Sequence, residues 1–177
     1  MKKLCMIAIT TIACLTIVTV TASLAGIRIN TTGSYPRGIY WMTGEPIAKG
    51  SLVIFCPTDT AVFRQAKERG YIDAGFCPGG TGYMIKKIMA SANDHVEMTA
   101  AGVFVNGVSV PNSKPLDKDL EGKPLSPVKA DIAALDDYSV LLMSDYSPKS
   151  FDGRYFGLMD KSQIISVIRP ILIWKKQ

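Results

Sequence analysis

The chain opens on one long apolar run and continues as short apolar stretches divided by turns. From Leu4 to Gly26 no residue is charged, and Ile, Leu, Val, Ala and Thr dominate. A helix of that length reaches about 33 Å at ~1.5 Å per residue, enough to cross a hydrocarbon core. Lys2 and Lys3 precede it, so the bias of positive charge toward the cytoplasm exports everything after Arg28. Residues 1–27 are read as a membrane anchor or signal segment, and 28–177 as the extracytoplasmic domain. Ser23-Leu24-Ala25 before Gly26 suits a small-residue cleavage site, but the apolar run is longer than a cleaved leader needs, which favours an anchor.

Beyond the run, residues 28–40 are rich in turn formers, and 38–42 then read as a strand. Lys49-Gly50 makes a turn before the compact apolar strand 51–55, which ends at Cys56-Pro57. Thr58, Asp59 or Thr60 can cap a short helix running to Arg69, with Gly70 as its stop. Pro78-Gly79-Gly80 is a loop leading into an apolar strand around Lys86. Residues 103–110 form a hairpin about Asn106-Gly107, the strongest short-range β signal in the chain. Residues 111–129 are an exposed insert, and 138–143 and 163–174 are further strands. The pattern predicts a mainly β fold of antiparallel sheet, with one N-terminal transmembrane helix and one short inserted helix.

Charge and cysteine content narrow the chemistry. The net charge is +5, yet Lys and Arg are scattered and no aromatic platform lies among them, so nucleic acid is not an expected partner. A mildly basic face near anionic lipid headgroups uses that charge more naturally. Cys5 and Cys14 lie in the apolar run and read as small apolar residues. Cys56 and Cys77 lie in the exported part, where a disulfide forms readily and would fasten the inserted helix back onto the sheet. Neither belongs to a CxxC pair and His95 is the only histidine, so no metal and no cofactor is expected.

Two residues stand in settings that suit catalysis. Ser34 lies in the turn Asn30-Thr31-Thr32-Gly33-Ser34-Tyr35-Pro36-Arg37-Gly38. Lys86 lies in the apolar strand Gly82-Tyr83-Met84-Ile85-Lys86-Lys87-Ile88-Met89, where an ammonium loses hydration and its pKa falls. A serine hydroxyl is a weak nucleophile until a base removes its proton, and a neutral amine is such a base. Alternation puts Lys86 and Lys87 on opposite faces, both apolar, so spacing does not decide which lysine is buried, and two lysines at a wet sheet edge fit the pattern equally. Gly-x-Ser-x-Gly, Ser-x-x-Lys and Lys-Thr-Gly are absent, and His95 in Asn93-Asp94-His95-Val96-Glu97 reads as structural rather than as part of a triad.

Taken in order, these stretches resemble the type I signal peptidase clan, the Ser-Lys proteases, and within it the TraF-type branch that matures conjugative pilin precursors. Thr32-Gly33-Ser34-Tyr35-Pro36 resembles the nucleophile box, with Tyr35 where methionine is usual. Residues 49–55 resemble the strand lining the substrate groove, and Tyr83-Met84-Ile85-Lys86-Lys87 resembles Tyr-Ile-Lys-Arg. Ala90-Ser91-Ala92-Asn93-Asp94 stands where Leu-Pro-Gly-Asp is typical, and keeps only the aspartate. Ser144-Asp145 through Gly157 is similar to Gly-Asp-Asn-Arg followed by Ser-x-Asp-Ser-Arg, with Tyr146 in place of asparagine and Gly153 in place of serine.

The resemblance implies Ser34 as nucleophile, Lys86 as general base, Thr32 as an oxyanion donor, Ser150 as a hydroxyl orienting the amine, and Asp152, paired with Arg154, as a required carboxylate. It implies a signal-peptidase-like sheet, a pilin precursor as substrate, conjugative type IV secretion components as partners, and an inner-membrane protein with a periplasmic catalytic domain, or a periplasmic one if the N-terminal segment is removed. A non-catalytic envelope scaffold and a general signal peptidase are the alternatives.

Overall fold

The computed structural model describes residues 2–174. Helix α1 (Lys2–Leu24) leads into β1 (Ile27–Asn30), β2 (Gly38–Thr43), β3 (Leu52–Phe55), helix α2 (Ala61–Glu68), β4 (Ala74–Cys77) and β5 (Met84–Ala90). Then come β6 (Val96–Thr99), β7 (Gly102–Val105), β8 (Val108–Ser109), β9 (Ala130–Ile132), β10 (Ser139–Met143), helix α3 (Gly153–Phe156), β11 (Met159–Asp160) and β12 (Ile164–Ile173). The expected mainly β architecture is what forms. Seven strands make one antiparallel sheet in the order β1-β2-β12-β3-β5-β10-β11, and four make a second in the order β8-β7-β6-β9.

Local chemistry explains most of these elements. Asn106 and Gly107 both adopt positive φ, at 51° and 76°, the backbone that a two-residue turn matching the strand twist requires. Helix α2 buries Phe63 and Ala66 and ends before Gly70, whose φ of 72° cannot continue a helix. Cys56 and Cys77 are joined by a disulfide with Cα atoms 5.3 Å apart. Residues 111–129 lack helix and strand and are mostly exposed, as an insert should be.

One expectation needs correction, and another is not met among the described residues. The stretch 28–40 is not all turn: Ile27–Asn30 pairs with β2, Ile27 opposite Trp41 and Asn30 opposite Gly38. A four-residue strand beside a Gly/Pro-rich turn leaves too short an alternation to read. The expected transmembrane helix is not found as such, because among the described residues no helix is long and apolar enough to cross a membrane. What α1 does present is exposed apolar surface: Leu4, Met6, Ile7, Ile9, Ile12, Leu15, Ile17 and Val18 are all more than half exposed. Arg28 Nη1 donates to Ser23 O at 2.9 Å and Trp41 Nε1 to Ala25 O at 3.0 Å, tying the helix end to the first strands.

The large sheet carries apolar clusters on its two faces. Val53, Phe55, Met84, Ile88 and Leu142 pack with Phe63 of α2, and Ile54, Ile85 and Ile168 pack with Tyr35 and Tyr40. Strand β5 therefore runs through the interior with core on both sides, which sets the environment of its lysines.

Candidate active site

Strand β5 separates the two lysines. Lys86, opposite Val53 of β3, is 1% exposed, whereas the Lys87 side chain is 34% exposed and donates to Asp145 Oδ2 at 2.8 Å. Burial pushes the Lys86 amine down to about 8; Asp152 opposes that shift and Arg154 adds to it. Asp152 makes no ion pair with Lys86, and its two oxygens accept from other groups. Arg154 Nε donates to Oδ1 at 2.8 Å, Arg154 Nη2 to Oδ2 at 2.9 Å, and the Ser144 N–H also to Oδ2 at 3.1 Å.

The loop carrying Ser34 is held by Asn30, a buried residue that sequence reasoning did not single out. Asn30 Nδ2 donates to Tyr35 O and Pro36 O, each at 3.1 Å, while Asn30 Oδ1 accepts from the Thr32 N–H at 3.1 Å and the Thr32 hydroxyl at 2.8 Å. Its signal was available: asparagine at the head of a turn binds backbone groups a few residues on. Thr32 lines the same cavity as Ser34, with its hydroxyl proton directed to Asn30.

A second loop, after β10, clasps the first. Ser144 Oγ donates to the carbonyl of Ser34 at 2.6 Å, and Tyr35 Oη donates to Asp145 Oδ1 at 2.7 Å. Burial raises the Asp145 carboxyl, but the bonds from Lys87 and Tyr35 outweigh it and hold the group below the ordinary carboxylate range. Burial first, and then the bond to Asp145, raises the Tyr35 phenol, which stays a donor. Tyr146 stacks on Tyr35 with centroids 6.2 Å apart. Two departures from the resembled pattern, Tyr35 and Tyr146, thus lie against each other. Gly153 has its own reason: a Cβ there would come 2.7 Å from Leu141 Cδ1.

Ser150 is buried, and its hydroxyl donates to Ser34 Oγ at 3.4 Å, a long contact. Its carbonyl accepts from Arg154 Nη2 at 2.8 Å. Arg154 Nη1 reaches the carbonyls of Asn112, Lys114 and Pro148 at 2.9–3.2 Å, so this guanidinium joins the insert to the Ser150 loop. With exposures of 0 and 1%, Asp152 and Arg154 form a buried pair, and removing one member strands the other. Arg154→Met is expected to lower the unfolding free energy by about 3–5 kcal/mol. Urea denaturation reads this, and a loss under about 1 kcal/mol contradicts a structural role for the pair.

Ser34, Thr32 and Lys86, which lie on separate stretches of the chain, line one cavity of about 270 Å³. Ile29, Ile54, Met84 and Ile85 add apolar surface, and residues 71–76 close one side. A hydroxyl and a buried amine of lowered pKa on one concave surface are the parts of an amine-assisted acyl transfer. His95 takes no part in this cavity; its Nε2 meets Asp131 Oδ1 at 2.6 Å, and Asp131 belongs to the smaller sheet. Among the described residues no cluster of His, Cys, Asp and Glu could hold a metal.

Comparison with known proteins assigns the class. Residues 2–174 match the family "Signal peptidase, peptidase S26", and the chain belongs to it. Within that family it is similar to the plasmid transfer protein TraF of Escherichia coli, 52% identical over 153 residues and 86% of each chain. The conjugal transfer protein TraF of Agrobacterium tumefaciens (strain 15955) is 37% identical over 155 residues, again 86% of each chain. A crystal structure of a signal peptidase I from Enterococcus faecalis V583 aligns at a TM-score of 0.39 and 16% identity, over 71% of this chain and 98% of that one. The chain is thus a signal-peptidase-family serine peptidase of the TraF-type branch.

Proposed function

We propose that this protein processes a conjugative pilin precursor with a Ser34–Lys86 dyad. The observation that carries the reading is the shared cavity of Ser34 and Lys86, with the amine pushed down to about 8 by burial. Neutral Lys86 takes the Ser34 proton as Ser34 Oγ attacks the scissile carbonyl. The Ser34 N–H and the Thr32 hydroxyl, turned from Asn30, stabilise the oxyanion. The ammonium of Lys86 then protonates the leaving amine, and an ester on Ser34 remains. Water resolves the ester to a carboxylate, whereas the amino terminus of the pilin resolves it to an amide and a ring. Arg154 and Asp152 act on this chemistry indirectly, through the Ser144 and Ser150 contacts to Ser34.

The charge-free sequence 4–26 after Lys2 and Lys3 supports an inner-membrane anchor with the peptidase domain on the periplasmic side. An anchor keeps the cavity where the apolar segment of a precursor leaves the bilayer. The test is mass spectrometry of the pilin after incubation with alkali-washed membranes carrying the protein. Trimmed pilin is expected, and a mass lower by one further water marks ring closure. Unprocessed pilin, with the protein in the alkaline wash, contradicts both the activity and the anchor.

A further inference from the structure

The cavity has a wall that belongs to neither sheet. Residues 71–76, a continuous stretch, line it together with Ser34. Strand β4, within that stretch, is held to its surroundings by bridges from Ala74 and Cys77 to Thr81 and by the Gly82 N–H donating to Asp73 O at 2.6 Å. The approach is so close that a Cβ on Gly75 would lie 2.6 Å from the Gly82 Cα, so glycine is required where the wall meets the start of the lysine strand. The other end is fixed covalently: Cys77 is bonded to Cys56, which directly follows β3 of the large sheet. The wall is the last part of a loop that this disulfide closes across 21 residues.

Phe76, in this wall, lines the cavity and is fully exposed, at 101%. Residue alternation sends Cys77 inward and leaves Phe76 outward with no partner of its own. A phenylalanine left bare at the mouth of a cleft is a contact surface waiting for an apolar or backbone face.

Building on the peptidase reading, we propose that the disulfide-closed segment 71–76 is a substrate-binding wall, with Phe76 clasping an extended peptide laid across Ser34. The peptide takes its backbone contacts from the open edge of β1 at Ile29–Asn30 and from Gly82–Tyr83, just before β5, and Phe76 covers its outer face. The wall thereby makes affinity for a long peptide depend on Cys56–Cys77, while the reacting groups sit on other elements.

The test measures binding without turnover. A fluorescein-labelled peptide of about ten residues, with alanine at alternate positions as small-residue processing sites prefer, is titrated into the full chain carrying Ser34→Ala. Adding Phe76→Ala is expected to raise Kd about tenfold, as truncating an aromatic anchor does, and Cys56→Ser with Cys77→Ser at least as much. Tyr138→Ala removes another exposed aromatic, outside this cavity, and is expected to leave Kd unchanged. A Kd within twofold of the parent on Phe76→Ala overturns the proposal, and so does an effect of Phe76→Ala confined to sedimentation with lipid vesicles. Labelling of Ser34 by a serine acylator in the wild-type chain separately tests the peptidase reading, so a failure of either is seen apart from the other.

Discussion

Ser34→Ala is expected to lower pilin processing by at least about a thousandfold, since removing a nucleophile leaves only the binding and oxyanion contributions. The protein should remain folded. The Ser34 hydroxyl takes part in one long contact, with Ser150 at 3.4 Å, while the loop is held through groups that alanine keeps. Ser144 still donates to the carbonyl of residue 34, and Asn30 still grips Tyr35 and Pro36. Processing assays with purified precursor, paired with a thermal melt, read both halves of the expectation. Processing within about tenfold of wild type moves the nucleophile elsewhere.

The second large effect separates two adjacent lysines. Lys86→Met removes the amine but keeps a flexible chain of similar volume in the same buried slot, so activity is lost while stability holds or rises. The amine that Lys86 contributes is itself a burden on the fold. Between about 8 and the ordinary lysine value of 10.5 the unfolded chain binds more protons than the folded one, so stability increases with pH across that window. Lys87→Met should do the reverse. It leaves the Asp145 carboxylate with Tyr35 alone, a change worth at most about 1 kcal/mol at so open a site, and keeps most of the activity. Kinetics and urea titrations of the two variants side by side provide the comparison. A Lys87→Met protein that is inactive beside an active Lys86→Met protein transfers the role of base to Lys87.

Much of the domain is readable from local pattern. Strands β2, β3 and β5, helix α2 and the Asn106-Gly107 hairpin follow from turn formers and alternation acting within a few residues, and the Cys56–Cys77 bridge follows from two cysteines in an exported domain. What sequence does not carry is contact between distant loops. Alternation alone leaves Lys86 and Lys87 equivalent, and only a resemblance separates them. In the structure the difference comes from Asp145, 58 residues away, which reaches Lys87 and leaves Lys86 in the core. Ser144 offers no signal as a serine in a turn, yet its hydroxyl meets the carbonyl of Ser34 across 110 positions. Strand β4 and the wall it forms are hidden for the same reason, since Gly75 and Gly82 reveal their purpose only when they face each other. Ser150 likewise meets the nucleophile only across distance, its hydroxyl donating to Ser34 Oγ at 3.4 Å over 116 positions.

A buried amine near 8 also fixes a pH dependence. At pH 7 roughly a tenth of such amines are neutral, on the order of 300 times the fraction of an ordinary lysine. Reactivity at Ser34 therefore climbs as the solution is made alkaline and levels off once the amine has lost its proton.

The most direct measurement is the rate at which a small acylating inhibitor labels Ser34, followed by mass spectrometry across pH in the wild-type and Lys86→Met proteins. A wild-type rate that rises through about pH 8 to a plateau is expected, with no labelling of Ser34 in Lys86→Met at any pH. A flat profile from about pH 6 to 9, or equal labelling of the two proteins, contradicts Lys86 as the base for Ser34.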